Sequence, residues 1–166
     1  GEFASWTGQG FVPGRLIRET KINFSALLEG GEEIDCVLGG KAWHEAETDA
    51  DLPAVGDWVA LDRGEEGDEV VIRGRLPRFS RFSRKMPGKS AQEQVMAANV
   101  DIVVVVTDPG PDHSPRRIER YLMLIERCGA KPVVLLNKAD LFPGEHCAAA
   151  AGELRELGEM AEIHVT

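Results

Sequence analysis

Short apolar runs separated by glycine and acidic turns fill the first part of the chain. Phe11, Leu16 and Ile17 share one run, and Ile22 to Leu28, Ile34 to Leu38, Val55 to Leu61 and Val70 to Leu76 form four more. Runs this short, bounded by turn residues, predict five β-strands. Gly30-Gly31 is a hairpin junction, Arg63 to Gly67 a loop, and positions 39–54 a longer connection with room for one helical turn. That order and count predict a five-stranded Greek-key barrel of the OB type. From about residue 91 the pattern changes. Ile102 to Val106 is a continuous β-branched run, the pattern of a strand buried on both faces. Ser114-Pro115 predicts a helix start with Ser114 as N-cap, Ile118, Tyr121, Leu122, Ile125 and Cys128 recur at helical spacing, and Gly129 suits the position just past the end. Pro132 to Leu136 is the next strand, Glu145 to Leu157 a second helix and Glu162 to Val165 a third strand. Strand, helix and strand in this order predict parallel pairing with a right-handed crossover. The predicted fold is therefore mixed. An OB-type barrel over 1–85 and a linker over 86–95 precede the first part of a larger doubly wound α/β domain over 96–166.

Composition narrows the class. In 166 residues, 43% hydrophobic and 28% charged side chains with no low-complexity tract allow a buried core, which excludes wholesale disorder and fibrous repeats. No run approaches the ~18 apolar residues of a membrane span, and the opening lacks a signal peptide's basic start and apolar centre, so a cytoplasmic protein is expected. Cys36, Cys128 and Cys147 are widely spaced without a C-x-x-C pair, and His44, His113, His146 and His164 show no ligand spacing; neither a disulfide framework nor a metal site is expected in these residues. Charge is segregated. Residues 1–70 hold 5 Lys/Arg against 16 Asp/Glu, residues 71–95 hold 7 against 1, and residues 96–166 hold 7 against 11. The basic stretch, Arg73, Arg75, Arg78, Arg81, Arg84, Lys85 and Lys89, is a candidate phosphate-binding stripe within an acidic chain.

The strongest chemical signal is Asn137-Lys138-Ala139-Asp140, directly after the apolar run Val133 to Leu136. In open α/β sheets ligands bind beyond the carboxyl ends of the strands, where these residues fall. A carboxylate there accepts the ring N–H and exocyclic amine of guanine, and an Asn amide faces O6 and N7. Adenine presents a lone pair where guanine presents a proton, and a buried unpaired acceptor costs about 1–3 kcal/mol. Lys138 can lay its aliphatic stem along the base or ribose. The alternative is an ordinary polar turn in which Asp140 caps the next helix.

Several stretches carry a resemblance. Leu136 to Leu141 resembles the L-N-K-x-D-L element of GTPases, and more specifically the chain resembles the circularly permuted, ribosome-small-subunit-dependent GTPases, the RsgA family. Val55-Gly56-Asp57-Trp58-Val59 is similar to that family's V-G-D-x-V. Ile72 to Arg84 is similar to its basic P-R-x-S-x-x-x-R strand exit, Ala97 to Asp101 to its A-A-N-V-D, and Ile118 to Leu122 to its I-x-R-Y-L. The resemblance spans nearly the whole chain. It implies GTP hydrolysis on the small ribosomal subunit during late maturation, with GTP or GDP and Mg²⁺ as ligands, an OB domain contacting ribosomal RNA, and a monomer away from membranes. It assigns Asn137, Lys138 and Asp140 to guanine. It also implies that the P-loop, the switch segments and a zinc-binding domain lie beyond Thr166, which leaves this chain without hydrolytic activity of its own.

Phosphoryl transfer needs a phosphate cradle, a Mg²⁺ ligand and a positioned water. Gly88-Lys89-Ser90 imitates the end of a P-loop, but Ser83 stands where glycine is required, and Asp108 is followed by Pro109-Gly110-Pro111 rather than by D-x-x-G. In the basic stripe, arginine pairs bidentately with phosphate, and exposed Phe79 or Phe82 would stack on unpaired bases. Equally, both Phe rings suit a barrel core, and the arginines would offset the acidic first seventy residues. The lack of an acid before Glu93 favours RNA contact for the arginines, while both readings stay open for the Phe pair. Trp6, Trp43 and Trp58 read as structural. A non-catalytic RNA-binding barrel with an α/β appendage is the alternative function.

Overall fold

The computed structural model describes residues 3–20, 23–40, 44, 46–65, 67–85, 93–157 and 160–166. The chain forms two compact units, residues 1–99 and 100–166.

In the first unit, a short helix α1 (Ala4–Thr7) precedes strands β1 (Val12–Glu19), β2 (Phe24–Leu28), β3 (Glu33–Leu38), β4 (Trp58–Asp62) and β5 (Val70–Arg75). They close into a barrel in the order β1-β2-β3-β5-β4, with β3 and β5 parallel and the other neighbours antiparallel. This is the predicted OB-type architecture. The alternation of each strand sends Leu16, Ala26, Leu28, Cys36, Val59, Leu61 and Ile72 into one interior cluster. Register shifts between Leu16 and Arg18 and between Ala60 and Leu61 bend the strands as closure requires. Gly30 and Gly31, both at positive φ (88° and 89°), make the hairpin turn. Burial inside the barrel, with Asp35 beside it, pushes the Cys36 thiol up to about 11.

Residues beyond the barrel differ from expectation. Strands β6 (Arg81–Lys85) and β7 (Glu93–Ala98) pair antiparallel, so the last three residues of the expected linker are strand, and 96–99 fall in the first unit. Val95 and Ala98 pack against Ala54, and the Ala98 N–H donates to Val55 O (2.8 Å). β6 reads Arg-Phe-Ser-Arg-Lys, which has too few apolar residues to show a strand period.

The second unit holds β8 (Ile102–Thr107), α2 (Pro115–Cys128), β9 (Lys131–Leu136), α3 (Gly144–Glu156) and β10 (Glu162–Val165). Its strands form a parallel sheet in the order β10-β9-β8. One core joins Ile118 and Leu122 of α2, Ala150, Ala151 and Leu154 of α3, and Val134 and Leu136 of β9, with Val105 and Ile163 packed against it. Both helices thus cover the same face, as two crossovers of one hand in a monotonic strand order require. The expectation that β8 is buried on both faces is corrected: Ile102, Val104 and Val106 are 53%, 49% and 59% exposed on the uncovered face. Gly129 follows α2 in the left-handed region (φ 82°) as expected, whereas the Ser114 side chain makes no capping hydrogen bond.

Candidate functional site

β8, β9 and β10 are parallel, so their carboxyl ends, at Thr107, Leu136 and Val165, lie on one edge of the sheet. Asn137 to Asp140 leave the central strand at that edge. The Asn137 N–H donates to Thr107 O (2.8 Å) and the Ala139 N–H to Thr166 O (2.9 Å), which ties the segment to the ends of both neighbouring strands. Lys138 adopts a left-handed conformation (φ 61°), uncommon for a residue with a side chain and frequent where function imposes a backbone turn. That turn feeds a 3₁₀ segment, Ala139–Leu141. Lys138 and Asp140 are exposed, and Asn137 Oδ1 accepts from the Thr166 hydroxyl (3.2 Å). The Cys147 thiol of α3 donates to Ala139 O (3.2 Å) and braces the segment from below. Asp140 therefore sits inside the 3₁₀ turn rather than at the N-cap of α3, which is Pro143.

Beside this segment the β8–α2 loop and the start of α3 enclose a cavity of about 550 Å³, lined by Pro111, His113, Phe142, His146 and Glu153 among others. The His113 side chain is only 10% exposed, with Nε2 3.4 Å from Glu153 Oε2. This cavity has no signature along the chain, because its walls come from a loop and a helix about thirty residues apart.

Three arginines of the basic stripe have partners within the first unit. Arg78 is taken up by the fold: Nε and a terminal nitrogen donate to the Asp57 carboxylate (2.8 and 2.6 Å), while its terminal nitrogens also donate to Ala50 O and Leu52 O (2.8 Å each). Asp57 is fully buried and also accepts from the Ala54 N–H (2.8 Å). Arg73 donates twice to Asp62 (3.0 and 2.8 Å), which holds that carboxyl below its ordinary range. Arg75 donates to Leu76 O (3.1 Å), and its own burial, with Arg78 nearby, lowers its pKa. Arg81 is exposed on β6. Arg84 and Lys85 occupy the same strand, and Lys89 lies outside the described residues.

The aromatic residues also divide. Trp6 packs on Gly74, where an added Cβ would come within 2.2 Å of the indole, and its ring lies 6.0 Å from that of Phe11; that is the structural role expected. Trp43 lies outside the described residues. Trp58 and Phe79 are 42% and 62% exposed, which rules out a core role for Phe79. Asn99, singled out in the sequence only within A-A-N-V-D, is a buried hub. Its Oδ1 accepts from the Phe79 N–H (3.1 Å), its Nδ2 donates to Gly56 O (3.0 Å), and its carbonyl accepts from Arg15 (3.0 Å).

Residues 75–165 match the model of a family described as RsgA GTPase. The chain is 40% identical over 171 residues to the small ribosomal subunit biogenesis GTPase RsgA of Opitutus terrae, covering 98% of this chain and 46% of that protein. It is 41% identical over 148 residues to the protein of the same name from Syntrophotalea carbinolica, covering 85% and 40%. Among solved structures it resembles YjeQ from Thermotoga maritima, with a TM-score of 0.74 and 25% identity over 94% of this chain and 51% of the other. It shares the fold of YloQ, described as a circularly permuted GTPase, with a TM-score of 0.67 and 21% identity. The chain spans less than half the length of these two curated relatives.

Proposed function

The chain belongs to the RsgA GTPase family, and from that premise we propose that the whole protein is a cytoplasmic GTP-hydrolysing factor acting on the small ribosomal subunit during its late maturation. In this proposal residues 100–166 supply the guanine-reading part of the nucleotide domain, and the barrel with its adjoining β6–β7 ribbon contacts ribosomal RNA. The observation that carries the nucleotide part is the position of Asn137 to Asp140 at the carboxyl edge of a parallel sheet, where such folds bind ligands. Asp140, exposed at that edge, takes the N1–H and 2-amino group of guanine. Asn137, whose Oδ1 is held by Thr166, presents its NH₂ group to O6 and N7. Lys138, swung outward by its left-handed backbone, covers the base with its aliphatic stem. Mg²⁺ would neutralise phosphate charge, and zinc would hold a separate domain. No three His, Cys, Asp or Glu side chains among the described residues gather as metal ligands. No helix among the described residues is long and apolar enough to cross a membrane.

Calorimetry with GDP, GTP and ATP on the full-length protein tests the reading: guanine nucleotides bind and ATP does not. Asp140→Asn weakens GDP binding by roughly 5- to 150-fold, the equivalent of about 1–3 kcal/mol, and moves preference toward xanthosine diphosphate, whose 2-carbonyl needs a donor. An unchanged base preference in this variant removes Asp140 from guanine recognition.

A further inference from the structure

Strand register gathers part of the barrel's acidity, at odds with RNA contact when read as a total, at one end. Val12 pairs with Leu61 and Gly14 with Leu28, so the β2–β3 and β4–β5 turns share one end of the barrel. Those turns and the first residue of β3 carry Glu29, Glu32, Glu33, Glu65, Asp68 and Glu69, all exposed. Arg15 pairs with Trp58 and Val59 with Arg75, which places Trp58 and the segment leaving β5 at the opposite end. There a cavity of about 480 Å³ is lined by Trp58, Leu76, Pro77, Phe79 and Asn99 among others, and no acidic side chain lines it.

Trp58 and Phe79 are held on fixed backbone. The Leu76 N–H donates to Trp58 O (2.9 Å), and the Phe79 N–H donates to the buried Asn99 side chain. The Arg15 guanidinium lies 5.7 Å from the Trp58 ring centroid and is braced by Asn99 O. Exposed aromatics on hydrogen-bonded backbone, with a cation beside Trp58 and no acidic side chain lining the cavity between them, match the requirements of a base-stacking surface. A paired duplex offers no free base faces to such rings, whereas an unpaired strand does.

We propose that Trp58 and Phe79 stack unpaired bases of single-stranded RNA at this end of the barrel, with Arg15 supplying positive charge beside them. The proposal rests on the RNA-contact reading above and names the surface and the form of RNA it takes. Fluorescence anisotropy of a labelled single-stranded oligouridine, titrated with this chain at low salt, tests it against a duplex of equal length. Trp58→Ala and Phe79→Ala each weaken single-strand binding about tenfold, and Trp58→Phe, which keeps a ring, retains most of it. The dependence on salt stays unchanged in these variants, whereas Arg81→Gln and Lys85→Gln flatten it. Parent-like binding by Phe79→Ala and Trp58→Ala, with loss only in the Arg81 and Lys85 variants, overturns the stacking surface and leaves RNA contact standing. A preference for the duplex also overturns it, and absence of binding to either RNA form overturns both readings. Should Trp58→Ala fail to fold, as thermal melting would show, Phe79→Ala and Trp58→Phe carry the decision.

Discussion

At the residue scale, Asp57 and Arg78 form a buried knot in the first unit. The Asp57 carboxylate is fully buried, receives two nitrogens of Arg78 and caps the Ala54 N–H, while Arg78 reaches on to the carbonyls of Ala50 and Leu52. The pair thereby ties the β3–β4 connection to the segment that follows β5. Its value lies in completeness: removing one partner strands a buried charge, which typically costs ~3–5 kcal/mol. Asp57→Asn is expected to lower unfolding free energy by about 3 kcal/mol in urea titration. A loss below about 1 kcal/mol would mean that Arg78 finds water instead. The sequence placed Asp57 and Arg78 in two separate family-like stretches but did not pair them, because they lie 21 residues apart.

At the scale of elements, legibility follows local chemistry. The apolar spacing of α2 and the alternation of β1 to β5 announce themselves because each element buries a face at its own period. The β6–β7 ribbon does not, since its stability comes from packing of Val95 and Ala98 on Ala54 and from Asn99, rather than from its own pattern. Gly56 permits that packing. At φ 93° it lies so close to the end of β7 that an added Cβ would sit 2.0 Å from Ala98 O, and its N–H donates to Leu16 O (2.7 Å). Gly56→Ala must therefore open the β4 entry or push β7 away, with an expected loss of at least about 2 kcal/mol. Thermal melting combined with hydrogen exchange checks this, with 93–98 expected to exchange faster. An unchanged melting temperature would show that β7 is not held through this contact.

At the scale of the whole molecule, the second unit has one covered and one open face. Ile102, Val104 and Val106 stand with Val133 and Leu135 on the open side by register, and the Lys131–Glu162 ion pair (2.9 Å) crosses the same side toward β10. Open apolar area of this kind recruits hydrophobic partners and dyes. The double variant Val104→Thr, Val106→Thr is expected to reduce binding of a naphthalene-sulfonate dye to this chain, with unfolding free energy changed by less than about 1 kcal/mol because the replaced groups are already half in water. Undiminished dye binding would place the apolar surface elsewhere.

What the sequence determined by itself was whatever depends on neighbours along the chain. It determined the five barrel strands, the βαβ order, the glycine past α2, and the placement of Asn137 to Asp140 at the end of a strand. Only the tertiary structure decided which charges the fold consumes and which it leaves outside. Closure of the barrel brought Arg78 onto Asp57 and Arg73 onto Asp62, and gathered the acidic β2–β3 and β4–β5 turns at the end away from Trp58. The strand order of the second unit put both helices on one face, which turned a strand that reads as doubly buried into one half exposed. The physical reason is the same in each case. Periodicity and turn chemistry are local properties, whereas pairing of distant charges and the covering of a face depend on register and handedness, which no short stretch of sequence contains.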